Sequence, residues 1–410
     1  MTHAPDELAN KMPFQLGFQM PAEWRVHEAT WLSWPKDPET WPGRVPQVEE
    51  IFLQMMAALA PHETVNLLVD DEETEQAVRV RCTFSGADNI RFHRIATVDS
   101  WIRDYGPNFL VNDRGALAFN DWRFNAWGNK YEELKQDDSI PQRLESFLRA
   151  PRFQPGIVME GGSIEVNGAG CVLTTEQCLL NPNRNPELSR SEIEQYLKNY
   201  LGVAKVLWLG EGIVGDDTDG HIDDIARFVA ADVITCAVEE DPQDANYELL
   251  QDNLKRLQKM NDARGRSFEI VTLPMPGVVG GASPGSPAGQ PRWGGSTDKR
   301  NLDRLPASYA NFYIANHVVL APVFGHANDA RALETLARVF PDRRVVGINC
   351  EPLVWGMGTI HCVTQQQPKI WPQINADKNG SEKDQTLESV NLPQKCAEND
   401  SSPTHLVLLF

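Results

Sequence analysis

The feature that most constrains the fold is a recurrent alternation of short apolar runs with amphipathic, helix-spaced segments. Residues 46–60 place Val48, Ile51, Phe52, Met55 and Leu59 on one face, the spacing of a helix with one buried side. Residues 65–69 read as a strand, and 71–82 as a second helix whose acidic opening suits its dipole. The pattern then returns, with strands predicted at 108–111, 116–124, 171–175, 178–180, 206–209, 225–230, 233–238, 309–315, 318–323 and 345–350. Helices are predicted after Ser189-x-x-Glu192, a capping-box signature, and at 247–260 and 328–340, while 130–156 reads as polar and helical. Strands that alternate with helices in this way predict an α/β fold.

Composition narrows the class of ligand. A net charge of −19 argues against nucleic acid and anionic membranes and favours cationic partners. Seven Cys, with no C-x-x-C pair, fit a reducing compartment better than a disulfide framework. The first residues lack a basic segment followed by an apolar one, and no run approaches the roughly 18 apolar residues of a membrane span. A cytoplasmic protein is expected. Residues 1–12 read as a flexible N-terminus and 13–375 as a single catalytic domain, with a mobile Gly-, Pro- and Ser-rich loop at 277–299. Residues 376–410 read as a disordered tail.

Four stretches carry chemistry. In 215–224, Asp216, Asp217, Asp219, Asp223 and Asp224 crowd around His221, ahead of an apolar run at 225–229. Such a cluster is a solvated loop, a metal site or the receptor of a cation. On an extended chain His221 and Asp223 share a face. In 99–107, Arg103 and Asp104 stand before a Gly-Pro break, as a structural ion pair or as a functional carboxylate. In 159–168, Glu160 precedes two glycines, which suggests a bulge or a close backbone approach. In 356–365, Gly356 and Gly358 permit such an approach beside Cys362, itself either a core thiol or a nucleophile. The tryptophans at 24, 31, 34 and 41 are core packing or an aromatic wall. Asp104, Glu160, His221 and Cys362 are separated by two nearly equal intervals and a third about twice as long. That spacing is compatible with a repeating unit that brings one residue per unit to a common axis.

Several motifs resemble the agmatine deiminases. They are Met-Pro-Ala-Glu-Trp at 20–24, Trp-Ile-Arg-Asp-Tyr-Gly-Pro at 101–107, Phe-Asn-Ala-Trp-Gly at 124–128 and Glu-Gly-Gly-Ser-Ile-Glu at 160–165. Further on come Leu-Leu-Asn-Pro-Asn-Arg-Asn-Pro at 179–186, Thr-Asp-Gly-His-Ile-Asp at 218–223, Ser-Tyr-Ala-Asn-Phe-Tyr-Ile-Ala-Asn at 308–316 and Ile-His-Cys-Val-Thr-Gln-Gln at 360–366. The resemblance runs from about 13 to 372. It implies the pentein α/β-propeller of the guanidino-group-modifying enzymes, five αβ units around a pseudo-fivefold axis, and a cysteine mechanism without metal or cofactor. It places Cys362 as nucleophile, His221 as general acid/base and Glu160 as the carboxylate that orients it. Asp104 and Asp223 would grip the guanidinium, with Asp217, Trp101 and Gly358 as further substrate contacts. The implied partner is a small cationic guanidine, agmatine, and a homo-oligomer is compatible with the sequence. Asp219, Met357 and Thr359 depart from residues common in that family, as do the 277–299 insertion and the tail. Three alternatives stand beside this reading. One is a deiminase of arginine or peptidyl-arginine, with Arg227 or Arg292 holding the substrate carboxylate. Another is a metallohydrolase built on Asp219, His221 and Asp223, and the third a non-catalytic polyamine-binding protein.

Overall fold

Five small sheets, rather than one continuous sheet, carry the strands of this α/β protein. The computed structural model describes residues 11–280, 304–370 and 407–409. Each sheet contains the same motif, a first strand antiparallel to a second, which is parallel to a third. The first runs Asn108–Asn112, Leu117–Asn120 and Arg152–Phe153. The second runs Glu165–Val166, Cys171–Thr175 and Lys205–Leu209. The third runs Ala226–Ala230, Val233–Val238 and Glu269–Pro274. The fourth runs Tyr313–Ile314, Val318–Val323 and Arg344–Asn349. The fifth is assembled from distant parts of the chain: Gln365–Pro368 pairs with His27–Ser33, which pairs with Thr64–Val69.

The parallel step explains the helices. Antiparallel neighbours can be joined by a tight turn, whereas parallel neighbours need a long crossover, usually helical. Ile140–Leu148, Arg190–Leu201, Tyr247–Leu257, Asp329–Val339 and Val45–Leu59 each lie between the second and third strands of one unit. Each buries one face; in Val45–Leu59 it comprises Val48, Ile51, Phe52, Met55, Met56 and Leu59, with Leu53 and Ala58 beside them. The capping box at Ser189 and Glu192 forms as the sequence predicts. Trp31, Trp34 and Trp41 are buried core residues.

Several local expectations are corrected. Residues 178–180 do not form a strand: Thr175 accepts a bond from the Cys178 N–H and caps the short helix Glu176–Leu179. The segment 130–156 divides into a 3-10 turn, Glu133–Ser139, a helix that ends at left-handed Arg149, and the strand Arg152–Phe153. Within 309–315 only Tyr313–Ile314 pairs. Of the disordered tail expected at 376–410, Val407–Leu409 instead pairs in parallel with Arg344–Asn349. The rest of that tail, residues 1–10 and most of the 277–299 loop lie outside the described residues. No helix among the described residues is long and apolar enough to cross a membrane.

Candidate active site

Each unit is preceded by a short non-strand segment, and these five segments carry the reactive side chains. Asp104 lies in the helical turn Ile102–Tyr105, ahead of Asn108–Asn112. Glu160 caps the 3-10 turn Gly161–Ser163, ahead of Glu165–Val166. His221 and Asp223 flank Ile222 at the turn Ile222–Asp224, ahead of Ala226–Ala230. Asn311 precedes Tyr313–Ile314, and Cys362 precedes Gln365–Pro368. Equivalent places in a repeat bring these residues together. The long third interval in the sequence therefore conceals a unit, and Asn311 is its member. His221 and Asp223 both approach Gly162 from a 3-10 turn, not from the extended chain that the sequence suggests.

Gly162 marks the point of convergence. A Cβ built there would lie 2.6 Å from His221 Nδ1, 2.8 Å from Asp104 Oδ1 and 3.2 Å from Asp223 Oδ2. The double glycine after Glu160 thus keeps the backbone close to three reactive groups, as the sequence signals. Asp104 is oriented at both oxygens: Gly162 N–H donates to Oδ1 at 2.9 Å and the Trp127 indole to Oδ2 at 2.9 Å. Trp127 was not foreseen as a site residue. It sits in a left-handed turn in which Ala126, Trp127, Gly128 and Asn129 all have positive φ, a conformation unfavourable to L residues.

Cys362 Sγ lies 3.8 Å from Asp223 Oδ2 and 3.3 Å from Asn311 Nδ2. The Asn311 amide is fixed, because its Oδ1 accepts from Thr359 Oγ1 at 2.7 Å and from His361 N–H at 3.0 Å. Its N–H2 therefore faces the sulfur. Gly358 opens the slot between Cys362 and Trp101, since a Cβ there would meet Trp101 Cζ3 at 2.7 Å and Cys362 Sγ at 3.1 Å. Trp101 is held by its indole bond to Asp99 Oδ2, 3.0 Å, and by packing against Trp41.

The electrostatics are set by burial. His221 is buried, with Nδ1 3.8 Å from Asp104 Oδ1. Burial disfavours its charge, yet Asp104 foremost, then Cys178 and Asp223, hold its pKa well above the usual value. Burial pushes the Cys362 thiol well up, and Asp223, Asp224 and Asp104 push it further. Burial also opposes the Asp223 carboxylate, but the bond and charge of His361 outweigh it and hold that pKa down. His361 Nδ1 lies 2.7 Å from Asp223 Oδ2, and its Nε2 lies 2.8 Å from Glu23 Oε2. This histidine, adjacent to Cys362 in sequence, was missed because its partners are remote along the chain.

The acidic stretch divides its labour. Asp216 accepts from Thr218, Gly220 and His221 N–H groups and so shapes the loop. Asp217 is bonded by Tyr131 Oη and paired with Lys130. Arg184, also missed, joins Glu160 Oε1 at 2.6 Å to Asp219 Oδ2 at 2.6 Å and to the Thr218 carbonyl. Asp219 is thus turned to Arg184, Asn183 and Lys130, with φ of 65°. The metal triad of Asp219, His221 and Asp223 does not form. Nor do Arg103 and Asp104 pair as neighbours: Arg103 turns to Gln366, the His361 carbonyl and Glu23. Arg227, a candidate for a substrate carboxylate, is fully buried between Glu23 at 2.9 Å and Glu165 at 3.0 Å. Arg292 lies outside the described residues.

The sequence pattern of the Porphyromonas-type peptidyl-arginine deiminase family matches residues 19–368. The chain belongs to this family. It is 40% identical to the agmatine deiminase of Ectopseudomonas mendocina, over 86% of this chain and 96% of that one. It is also similar to the solved agmatine deiminase of Enterococcus faecalis, at 38% identity and a TM-score of 0.79, covering 88% and 98% of the two chains. A C. jejuni agmatine deiminase with substrate bound is 28% identical, with a TM-score of 0.74 and coverage of 86% and 97%.

Proposed function

We propose that this protein hydrolyses agmatine to N-carbamoylputrescine and ammonia, with Cys362 as nucleophile and no metal. The observation that carries this reading is the placement of Cys362 Sγ beside Asp223, with Asp104 and His221 across Gly162. A guanidinium is a planar fork of donors, and two facing carboxylates hold it while leaving its carbon open to one side. Five ββαβ units support a pentein ring around a pseudo-fivefold axis, with the site at its centre.

The free enzyme holds its thiol protonated, so the substrate itself arms the nucleophile. A bound guanidinium offsets the negative field of Asp223 and Asp104 and favours the Cys362 thiolate, whose proton passes to solvent. The Asn311 amide N–H, 3.3 Å from the sulfur, then stabilises that thiolate. Sulfur attacks the guanidinium carbon, and His221 gives a proton to the departing ammonia. The neutral His221 next takes a proton from water, which attacks the thiouronium carbon and displaces Cys362. Glu160, anchored by Arg184, presents a carboxylate oxygen within 4.8 Å of an imidazole nitrogen and would orient the ring as ammonia leaves. Trp101 supplies an apolar and cation-receptive wall for the aliphatic arm. Asp217 is the nearest acidic candidate for the distal amine, although Lys130 must then yield part of it.

Agmatine is preferred to arginine because Arg227, the foreseen carboxylate holder among the described residues, is consumed by Glu23 and Glu165. The test is turnover of agmatine, arginine and an arginyl peptide, with the product identified. Agmatine should give stoichiometric ammonia and N-carbamoylputrescine. Faster turnover of arginine or the peptide would sink the assignment, and tight agmatine binding without ammonia would favour a receptor.

Gly162→Ala is expected to abolish turnover without unfolding the chain, because the added methyl occupies the space between three reactive groups. Retained turnover alongside an unchanged circular dichroism spectrum would refute that geometry.

A pH dependence follows from Asp104, which burial pushes up to about 6, against the pull of His221. A folded pKa above the ordinary 3.8 means stability present at low pH and lost as pH rises through about 6. Bound guanidinium offsets that loss. Agmatine should therefore raise the Tm of Cys362→Ala more at about pH 7.5 than at about pH 5. Equal shifts at both would show that Asp104 does not titrate in the site.

A further inference from the structure

Cys178 is a second buried thiol at the active site, and the reaction proposed above does not use it. It lies within the short helix Glu176–Leu179 and is fully buried. Glu160, Cys178 and His221 each present one donor atom, and these atoms lie within 4.8 Å of one another. We propose that these three residues form an inhibitory site for a thiophilic divalent cation such as Zn2+.

Sulfur, imidazole nitrogen and carboxylate oxygen are the donors that zinc takes. A second observation points the same way: Glu160 Oε2 and both ring nitrogens of His221 are buried without a hydrogen-bond partner. Tetrahedral bonds of about 2.0–2.3 Å put ligand atoms about 3.5 Å apart. Closure thus takes a shift of about 1 Å, within reach of side-chain rotation. Asp104 Oδ1, 3.8 Å from His221 Nδ1, or a water can complete the set. Arg184 lies close but is already neutralised on its other sides by Glu160 Oε1 and Asp219. Only His221 is shared with the metallohydrolase reading, and the consequence is the opposite one. Coordination releases the Cys178 thiol proton to solvent and requires neutral His221, so the metal removes the proton that ammonia departure needs. Inhibition rests on the function proposed above; binding does not.

Co2+ tests binding directly, because a cobalt–thiolate bond gives an intense near-ultraviolet charge-transfer band. The band should appear in the full-length wild type and persist in Cys362→Ser, whose Cys178 environment is untouched. It should vanish in Cys178→Ser. Loss of the band in Cys362→Ser, or no band in the wild type, would overturn the site by showing that Cys362 or nothing binds. Zn2+ should also inhibit turnover reversibly, with chelator restoring full activity. The concentration for half-inhibition, taken relative to each variant's own rate, should rise at least 10- to 100-fold in Cys178→Ser, since even outer-shell partners contribute that much to metal affinity. An unchanged half-inhibition concentration in a folded Cys178→Ser would place the inhibitory metal elsewhere and end the proposal.

Discussion

His221→Asn is expected to leave agmatine binding largely intact while kcat falls by about 10²- to 10⁴-fold, the usual contribution of a positioned acid/base. The imidazole faces Asp104 across 3.8 Å without a hydrogen bond to it, so its removal leaves the guanidinium clamp in place. Asp104→Asn and Asp223→Asn should act on the other quantity. Each preserves shape but removes a charge-assisted contact of roughly 1.5–3 kcal/mol, which weakens binding on the order of 10- to 100-fold. Calorimetric titration of agmatine into Cys362→Ala, alone and with each second change, reads the binding terms without chemistry. The roles would be reversed if both asparagine variants bound as tightly as the parent while His221→Asn lost binding.

Arg227→Met is expected to lose about 3–5 kcal/mol of folding stability, the usual result of breaking a buried ion pair at one partner. Its guanidinium is fully buried and faces Glu23, Glu165 and the carbonyls of Ala310 and Phe312. Methionine would leave buried Glu165 without its counter-charge and Glu23 with only His361 and the more distant Arg103. Lysine should rescue poorly, since a point charge cannot span four acceptors as a planar fork does. The damage should also reach the reaction, because Glu23 holds His361 and His361 holds Asp223. Chemical denaturation checks the first effect and kcat/KM the second. A denaturation midpoint equal to the parent's would remove the argument for this network.

Much of this arrangement can be read from the sequence wherever the signal is local. The crossover helices announce themselves by apolar spacing, and Ser189 and Glu192 mark a helix start by side-chain chemistry alone. The carboxylates, His221 and Cys362 stand out because charged and nucleophilic residues beside glycines are poor core material. What stays hidden depends on partners far along the chain. Gln365–Pro368 is polar and becomes a strand through pairing with His27–Ser33, not through propensity. Asn311, Trp127 and Arg184 look like ordinary loop residues until the fold sets them against Cys362, Asp104 and Glu160. The acidic cluster misleads in the other direction: its density suggests a single site, yet Asp216 and Asp219 serve as ties for the loop.

The pairing of Gln365–Pro368 with His27–Ser33 also orders events in time. The strand that completes the first-made part of the chain is among the last of the matched domain to be synthesised, and Cys362 stands immediately before it. Until that strand docks, the sulfur has neither Asn311 nor Asp223 beside it. A nascent or truncated chain that lacks this segment can hold most of its helices and still possess no nucleophile in register. Such a closure joins residues from opposite ends of the domain, the kind of long-range contact that forms slowly. Catalytic competence is therefore a late event in folding, and any delay in docking one short polar strand is a delay in the appearance of the enzyme.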